Sequence, residues 1–403
     1  MAQHSDKVVF TGSQGVDLAG RLERPAGPIK AYALFAHCFS CSKDVFAPNR
    51  IAKRLAALGY AVLRFDFTGL GQSDGDFANT NFSSNVEDLI AAAEFLSATY
   101  EAPKLLVGHS LGGAAVLVAA PQLPSVRAVA TIAAPADAAH VAHNFEEWID
   151  TIEKDGEAEV SLAGRPFKIK RQFLENIRNQ NVEEATRDFK GATLFFHSPT
   201  DETVGIDNAT RLFVAARHPK SFVGLEGADH LLTRPEDAAH VANTLAAWAA
   251  RYLPDDPMQP IPKAEPGTIV VQETGFGQYQ NVVVDGEHVF FVDEPVSLGG
   301  DDSAPGPTRL VAAALGACTS MTMRMYAERK GFDVDPITVR VVHDKHVEGE
   351  GGDKREVDRF ERRISLSGRL SEEDHARILA IAERCPVHRT LSRANEIQTI
   401  IEP

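Results

Sequence analysis

Three residues, met in the order serine, aspartate, histidine, carry the clearest chemical potential of this chain. The stretch Lys104-Leu-Leu-Val-Gly108-His109-Ser110-Leu111-Gly112-Gly113 places a G-x-S-x-G motif between an apolar run and an Ala/Val-rich segment. A strand before the motif and a helix after it form a turn too tight for side chains at Gly108 and Gly112. That turn lifts the Ser110 hydroxyl to a helix N-terminus. A glycine-rich turn with an idle serine is the plain alternative, and the strand–turn–helix context outweighs it. A serine hydroxyl is a poor nucleophile at neutral pH, so it needs a base, and the base needs an orienting acid. His230, in Gly227-Ala-Asp-His230, follows the last expected strand and suits the base. His140, His143, His197, His218 and His240 have poorer context. Asp201 follows the preceding strand in His197-Ser-Pro-Thr-Asp201 and suits the acid, with Asp137 as second choice. Backbone N–H groups of Leu111 and Phe39 are the expected donors to a developing oxyanion. Phe39, Phe145 and Trp148 are expected to line an apolar acyl pocket.

A second chemistry resides in sulfur. The chain has four cysteines, Cys38, Cys41, Cys318 and Cys385, too few for the framework of a small secreted domain. Cys38 and Cys41 form a C-x-x-C inside the expected oxyanion loop. They lack the fold that tunes a redox pair and further ligands for zinc, so they are read as bystanders. Cys318 falls in the middle of a long helical segment, and Cys385 precedes Pro386 at the end of another. Alone, a buried cysteine is most often a packing residue.

These residues need elements to hold them. Apolar runs at 31–36, 60–65, 104–107, 126–133, 193–197 and 221–225 read as strands buried on both faces. Helical stretches such as 50–58 and 84–99 lie between them, giving a doubly wound α/β sheet. Residues 7–23 suggest an antiparallel hairpin at one edge. Residues 137–190 interrupt the rhythm and are read as a small helical cap over the strand ends, where ligands bind in open α/β sheets. Prolines at 254, 257, 260, 262 and 266 mark a semi-extended linker, taken as residues 254–264. It separates a domain over 1–253 from one over 265–403. The second domain opens with strands near 268–273, 280–285 and 287–293. A helix over 308–330 follows, expected to be central and buried because 310–325 is apolar nearly all round. Strands near 337–346 and 360–368 precede a helix from Ser371 to Arg384.

Composition narrows the function classes. A net charge of −15 opposes binding to nucleic acid or an anionic membrane surface. The N-terminus MAQHSDKVVF lacks a signal-peptide core, and no stretch has the length of a membrane span. The expectation is therefore a cytoplasmic protein without bound metal or cofactor.

Residues 1–253 resemble the α/β-hydrolases. The matching pieces are His37-Cys38-Phe39, Asp66-Phe-Thr-Gly-Leu-Gly-Gln-Ser73, Gly108-His-Ser-Leu-Gly112, His197…Asp201 and Asp229-His230. Cys38 stands where that family often has glycine. The resemblance implies hydrolysis of an ester, thioester or amide through an acyl-enzyme, and esters are the easiest case. Residues 265–403 resemble the OsmC/Ohr organic hydroperoxide reductases, through Leu315-Gly-Ala-Cys318-Thr-Ser-Met and Arg384-Cys385-Pro-Val-His388. That resemblance implies an α+β domain in which Cys318 attacks an organic hydroperoxide, Cys385 resolves the sulfenic acid, and a dithiol reductant recycles the disulfide. It also implies a homodimer or higher homo-oligomer. The family's Glu and Arg partners are missing from 307–310 and 268–280, which leaves Arg309 and Arg324 as stand-ins. Two readings of the second domain follow: a peroxidase, or an oligomerisation scaffold for the hydrolase.

Overall fold

The computed structural model describes residues 4–25, 29–39, 42–162, 164–253, 261–275, 277–348 and 355–401. Two compact units divide the chain. The first runs to Lys263 and includes Thr274–Phe276, and the second is the remainder. Residues 254–260 of the expected linker lie outside the described residues.

The first unit opens with β1 (His4–Thr11) and β2 (Asp17–Arg24), an antiparallel hairpin at one sheet edge, as the turn residues suggest. It continues through β3 (Ala31–Ala36), α1 (Phe46–Ala57), β4 (Tyr60–Phe65), α2 (Phe82–Thr99), β5 (Leu105–His109), α3 (Leu111–Ala119) and β6 (Ala128–Ile132). The interrupting segment then contributes α4 (Ile149–Asp155), β7 (Glu157–Leu162), β8 (Arg165–Lys170), α5 (Arg171–Arg178) and α6 (Val182–Asp188). The sheet resumes with β9 (Ala192–His197), α7 (Asp207–Ala215), β10 (Lys220–Gly224) and α8 (Pro235–Ala249). The eight strands order as β1-β2-β4-β3-β5-β6-β9-β10, parallel from β4 to β10.

Every residue of β3, β4, β5, β6 and β9 is buried, which is why their sequences are nearly continuous apolar runs; the buried Arg64 of β4 is paired with Glu23. Alternate side chains feed two cores. Leu34, Leu63, Leu106 and Phe195 pack with Phe82 and Leu89 of α2, while Phe35, Val62, Val107 and Phe196 pack with Ile51 of α1 and Val241 of α8. Each such buried side chain contributes about 1.5–3 kcal/mol. Helix α2 starts two residues before the expected Ser84, because Asn81 caps it. The Asn81 carboxamide accepts from Ser84 N–H, and Ser84 Oγ accepts from Asn81 N–H.

The cap is helical at its ends, with 3-10 turns over Ala138–Trp148 preceding α4. Its middle is the two-stranded hairpin of β7 and β8, which sequence reading passed over. Glu157-Ala-Glu-Val-Ser-Leu162 alternates exposed and buried, the period of a strand, and that alternation was the available signal.

The second unit begins with an antiparallel sheet of β11 (Val270–Glu273), β12 (Asn281–Asp285) and β13 (His288–Val292). Helix α9 (Pro307–Lys330) follows, with proline in its first turn and Gly331 at φ 70° past its end. Then come β14 (Asp333–Val334), β15 (Thr338–Glu348), β16 (Arg355–Ser365), β17 (Gly368–Arg369), α10 (Glu372–Ile381) and α11 (Pro386–Leu391). β15 and β16 pair antiparallel along their whole length. Contrary to expectation, α9 is not buried all round. Ala312, Leu315, Gly316, Thr319, Met323 and Ala327 are buried, but Met321 and Met325 are 64% and 69% exposed. The elements of one chain cover a single stripe of this helix. Among the described residues no helix is long and apolar enough to cross a membrane, and no cluster of three metal-ligating side chains occurs.

Candidate active site

Ser110 sits between β5 and α3 with φ 55° and ψ −126°, a conformation rarely adopted by residues other than glycine. The flanking glycines are there because nothing larger fits. A Cβ on Gly108 would lie 2.3 Å from the Gly112 carbonyl oxygen, and one on Gly112 would lie 2.4 Å from that of His37. Ser110 N–H donates to the Ile132 carbonyl at 2.8 Å, which ties the turn to β6.

The three candidate side chains meet. His230 Nε2 lies 2.9 Å from Ser110 Oγ, and His230 Nδ1 lies 2.8 Å from Asp201 Oδ2. A carboxylate only accepts, so Nδ1 carries the proton and Nε2 is left to accept from the serine. The other Asp201 oxygen accepts N–H bonds from Thr203 and Val204, both at 2.9 Å. Burial alone would raise the Asp201 carboxyl. The bonds from His230, Val204 and Thr203 outweigh it and hold the group below its usual range. Asp137, the second-choice acid, instead caps the 3-10 turns by accepting from Ala139 N–H.

His109, the variable residue of the motif, has a role that sequence reading missed. Its Nε2–H donates to the His230 carbonyl at 2.7 Å. Burial, reinforced by the neighbouring His230, pushes the His109 imidazole down to about 4, so it is neutral near pH 7. Two of the competing histidines are likewise committed to carbonyls, His197 to Val204 and His140 to Thr203.

Leu111 is the first residue of α3, so its N–H has no partner within the helix. Phe39 lines the same cleft as Ser110 and Leu111. The loop bearing Phe39 is anchored by a buried ion pair. Lys43 Nζ lies 2.7 Å from Asp66 Oδ2, Lys43 N–H donates to Asp66 Oδ1, and Gln72 N–H donates to Oδ2. Cys38, read as a bystander thiol, is instead disulfide-bonded. Ser40 and Cys41 lie outside the described residues.

The cleft above Ser110 is small, about 40 Å³. Phe39, Val141 and Val204 form its apolar part, and His140, His143, Asn144 and Thr203 make the rest polar. Phe145 and Trp148, expected to line it, do not. Phe145 is buried against Phe173, and Trp148 is exposed with its indole N–H on Glu147. The backbone kink at Phe145, φ −146°, turns that ring into the cap's own core.

In the second unit, Cys318 and Cys385 are both free. Cys318 is half-buried in α9 and Cys385 is fully buried ahead of α11, with Cys318 in hydrogen-bonding reach of it. Of the stand-in arginines, Arg324 is committed to the Val334 and Asp335 carbonyls. Arg362 of β16, which sequence reading did not single out, reaches Thr319 and Ala382, the neighbours of the two cysteines.

An esterase domain from a Rhodothermus marinus protein is 54% identical over 62% of this chain and 99% of its own length, with a TM-score of 0.53. Residues 27–155 match the family of serine aminopeptidases, S33, and residues 300–400 match the OsmC-like proteins. The chain is an α/β-hydrolase fused to an OsmC-like domain. More distant relatives of the hydrolase domain are a mitochondrial palmitoyl-protein thioesterase of Homo sapiens and a monoglyceride lipase of Rattus norvegicus. Each is 29% identical, over 32% and 30% of this chain respectively. The matched stretch spans 40% of the length of each of these two proteins.

Proposed function

We propose that the hydrolase domain cleaves carboxylic esters through an acyl-enzyme. The supporting observation is the relay from Ser110 through His230 to Asp201, at 2.9 and 2.8 Å. Ser110 attacks the ester carbonyl while His230 takes its proton and Asp201 stabilises the resulting imidazolium. The N–H groups of Leu111 and Phe39 hold the oxyanion. His230 then protonates the departing alcohol and activates water to release the acid. The cleft, part apolar and part lined by His140, His143 and Asn144, favours a modest acyl group with a polar substituent. A thioester is the second substrate class, favoured by the similarity to a palmitoyl-protein thioesterase. Turnover of p-nitrophenyl acetate and of an acyl thioester, in wild type and Ser110→Ala, tests both. Wild-type turnover abolished by the variant supports the reading, and turnover retained by the variant refutes it.

For the OsmC-like domain, the reading is an organic hydroperoxide reductase. Cys318 as thiolate attacks the O–O bond and becomes a sulfenic acid, releasing an alcohol. Cys385 displaces water from that sulfur to form a disulfide, and an external dithiol reduces it. Support comes from two free cysteines in mutual reach, one half-buried and one enclosed. The exposed Met321 and Met325 on α9 favour a second copy of the chain as their cover, giving a homodimer or larger assembly. Dithiol-driven consumption of an organic hydroperoxide that Cys318→Ser abolishes supports the reductase. No consumption by wild type leaves the scaffold reading.

A further inference from the structure

Arg362 belongs to β16, yet its guanidinium bonds to residues of other elements. Its Nη1 donates to Thr319 Oγ1 at 3.1 Å and to the Ala382 carbonyl at 2.9 Å. Its Nη2 donates to Glu383 Oε1 at 2.8 Å and meets His388 Nδ1 at 3.1 Å. Thr319 is the residue after Cys318, while Ala382, Glu383 and His388 bracket Cys385. One planar guanidinium therefore spans the two segments that carry the two thiols. Its side chain is only 10% exposed, so these bonds are formed largely out of water.

The protons can be placed. Arginine has no acceptor, so His388 Nδ1 accepts and the ring proton sits on Nε2. There it faces Glu383 Oε2 at 3.1 Å, which closes a ring of Arg362, Glu383 and His388 beside Cys385. Thr319 Oγ1 accepts from Arg362 and has one proton to give. That proton is shared between the Leu315 carbonyl at 2.7 Å and the Cys385 sulfur within its reach. The Cys385 sulfur further faces the N–H groups of Val387 and His388 and the Cys318 thiol.

We propose that Arg362 is the positioning residue for disulfide closure: it holds Cys385 against Cys318 through Thr319 on one side and the Ala382–His388 turn on the other. The inference rests on the reading of Cys318 and Cys385 as a working dithiol. In the closing step the Cys385 thiolate forms the S–S bond as the C–S–OH oxygen leaves with a proton as water, reducing the sulfenic sulfur. Burial would raise the Cys385 thiol, but the donors from Cys318, His388, Thr319 and Val387 outweigh it and lower it. Thr319 and the His388 turn both stand on Arg362, so removing the guanidinium weakens closure and thiolate together. Cys318 is the titratable group in direct reach of this sulfur, and the charged or titratable side chains of Arg362, Glu383 and His388 are joined to one another on the residues around it.

The test uses the full chain with Arg362→Gln, Arg362→Lys and Thr319→Val. Closure is driven by one equivalent of cumene hydroperoxide and, separately, by diamide, which oxidises dithiols without any peroxidase step. The readouts are the rate of Cys318–Cys385 disulfide formation, dimedone trapping at Cys318, and the pH profile of Cys385 alkylation in a Cys318→Ser background. Arg362→Gln is expected to slow closure about tenfold and to shift the alkylation midpoint to higher pH. It is also expected to raise dimedone trapping with the hydroperoxide. Arg362→Lys recovers part of the rate, because an ammonium cannot serve both sides at once. Thr319→Val acts in the same direction with Arg362 intact, and it decides the matter if Arg362→Gln does not fold. Closure at the wild-type rate with an unchanged alkylation profile, in whichever of these two variants folds, overturns the proposal. If wild type ignores the hydroperoxide but diamide closure still depends on Arg362, the reductase reading falls and this inference stands.

Discussion

The two candidate sites of this chain are built on different foundations. Ser110, Asp201 and His230 project from loops at the ends of β5, β9 and β10, and β5 and β9 are buried on every residue. The loop that offers Phe39 is pinned by an ion pair whose members are 2% and 0% exposed. Cys318 and Cys385 sit instead on α9 and beside α11, in a unit with the small core of Met323, Ala327, Ile378 and Ala382. Polar bonds from one arginine hold that pair, and a large apolar part of α9 is left uncovered. A site on a closed core is organised by one chain. A site on a thin layer depends on individual polar contacts and on what covers its exposed face.

That contrast can be broken in several ways, taken here by size of effect. Ser110→Ala should lower ester turnover by about 10⁴-fold or more while leaving disulfide closure unchanged, read by p-nitrophenyl acetate and diamide assays side by side. Loss of both would mean that the sites are not independent. Asp66→Asn takes from buried Lys43 its nearest carboxylate, leaving Gln72 Oε1 at 3.1 Å and Asp44 Oδ2 at 3.6 Å, and should cost up to about 3 kcal/mol. Denaturant titration of the first unit should register it, with a fall in kcat as the loop that bears Phe39 loosens.

Two glycines compare the regions directly. A methyl on Gly112 meets the His37 and Ala36 carbonyl oxygens at 2.4 and 2.6 Å, and backbone cannot yield cheaply. A methyl on Gly316 in α9 would crowd Val341 Cγ2 at 3.2 Å, which can turn aside, and would make ordinary contact with Val339 at 3.8 and 4.0 Å. Gly112→Ala should therefore destabilise by about 1–3 kcal/mol and cut esterase activity, and Gly316→Ala should do less. Equal thermal shifts would erase the contrast.

The acid limb of stability supplies a further test. The Asp201 carboxyl is lower in the folded chain than in the unfolded one. Its contribution is complete above the ordinary carboxylate range and is lost as pH falls through the depressed folded value. Asp201→Asn should flatten that part of the stability-versus-pH curve, measured by chemical denaturation between neutral and acid pH. The smallest effect on ester hydrolysis belongs to Met321→Glu with Met325→Glu. These should lower the sedimentation coefficient by disrupting self-association and leave p-nitrophenyl acetate turnover unchanged. An unaltered assembly would remove α9 as the contact.

Local pattern was enough to locate much of this. Nearly continuous apolar runs mark β3, β4 and β9, since a strand buried on both faces needs no polar residue. G-x-S-x-G marks the turn at Ser110 because the clash that excludes side chains at 108 and 112 is local. The cap hairpin was missed because charged residues masked a short period-two pattern. Phe145 and Trp148 were misplaced because aromatic type alone does not say which way a ring turns.

What the sequence by itself determined is therefore the order of chemistry along the chain: the turn at Ser110, the candidate acid and base, and two cysteines, one within a helix and one just before another. Only the tertiary structure decided that His109 holds the His230 backbone, that Lys43 pairs with Asp66 beneath the loop that bears Phe39, and that Arg362 joins the two cysteine segments. Each of these rests on polar contacts between residues that are not neighbours in the sequence. Periodicity and motif spacing report which residues share a face or a turn. They carry no information about which distant side chain will end a few ångströms away once the faces are packed.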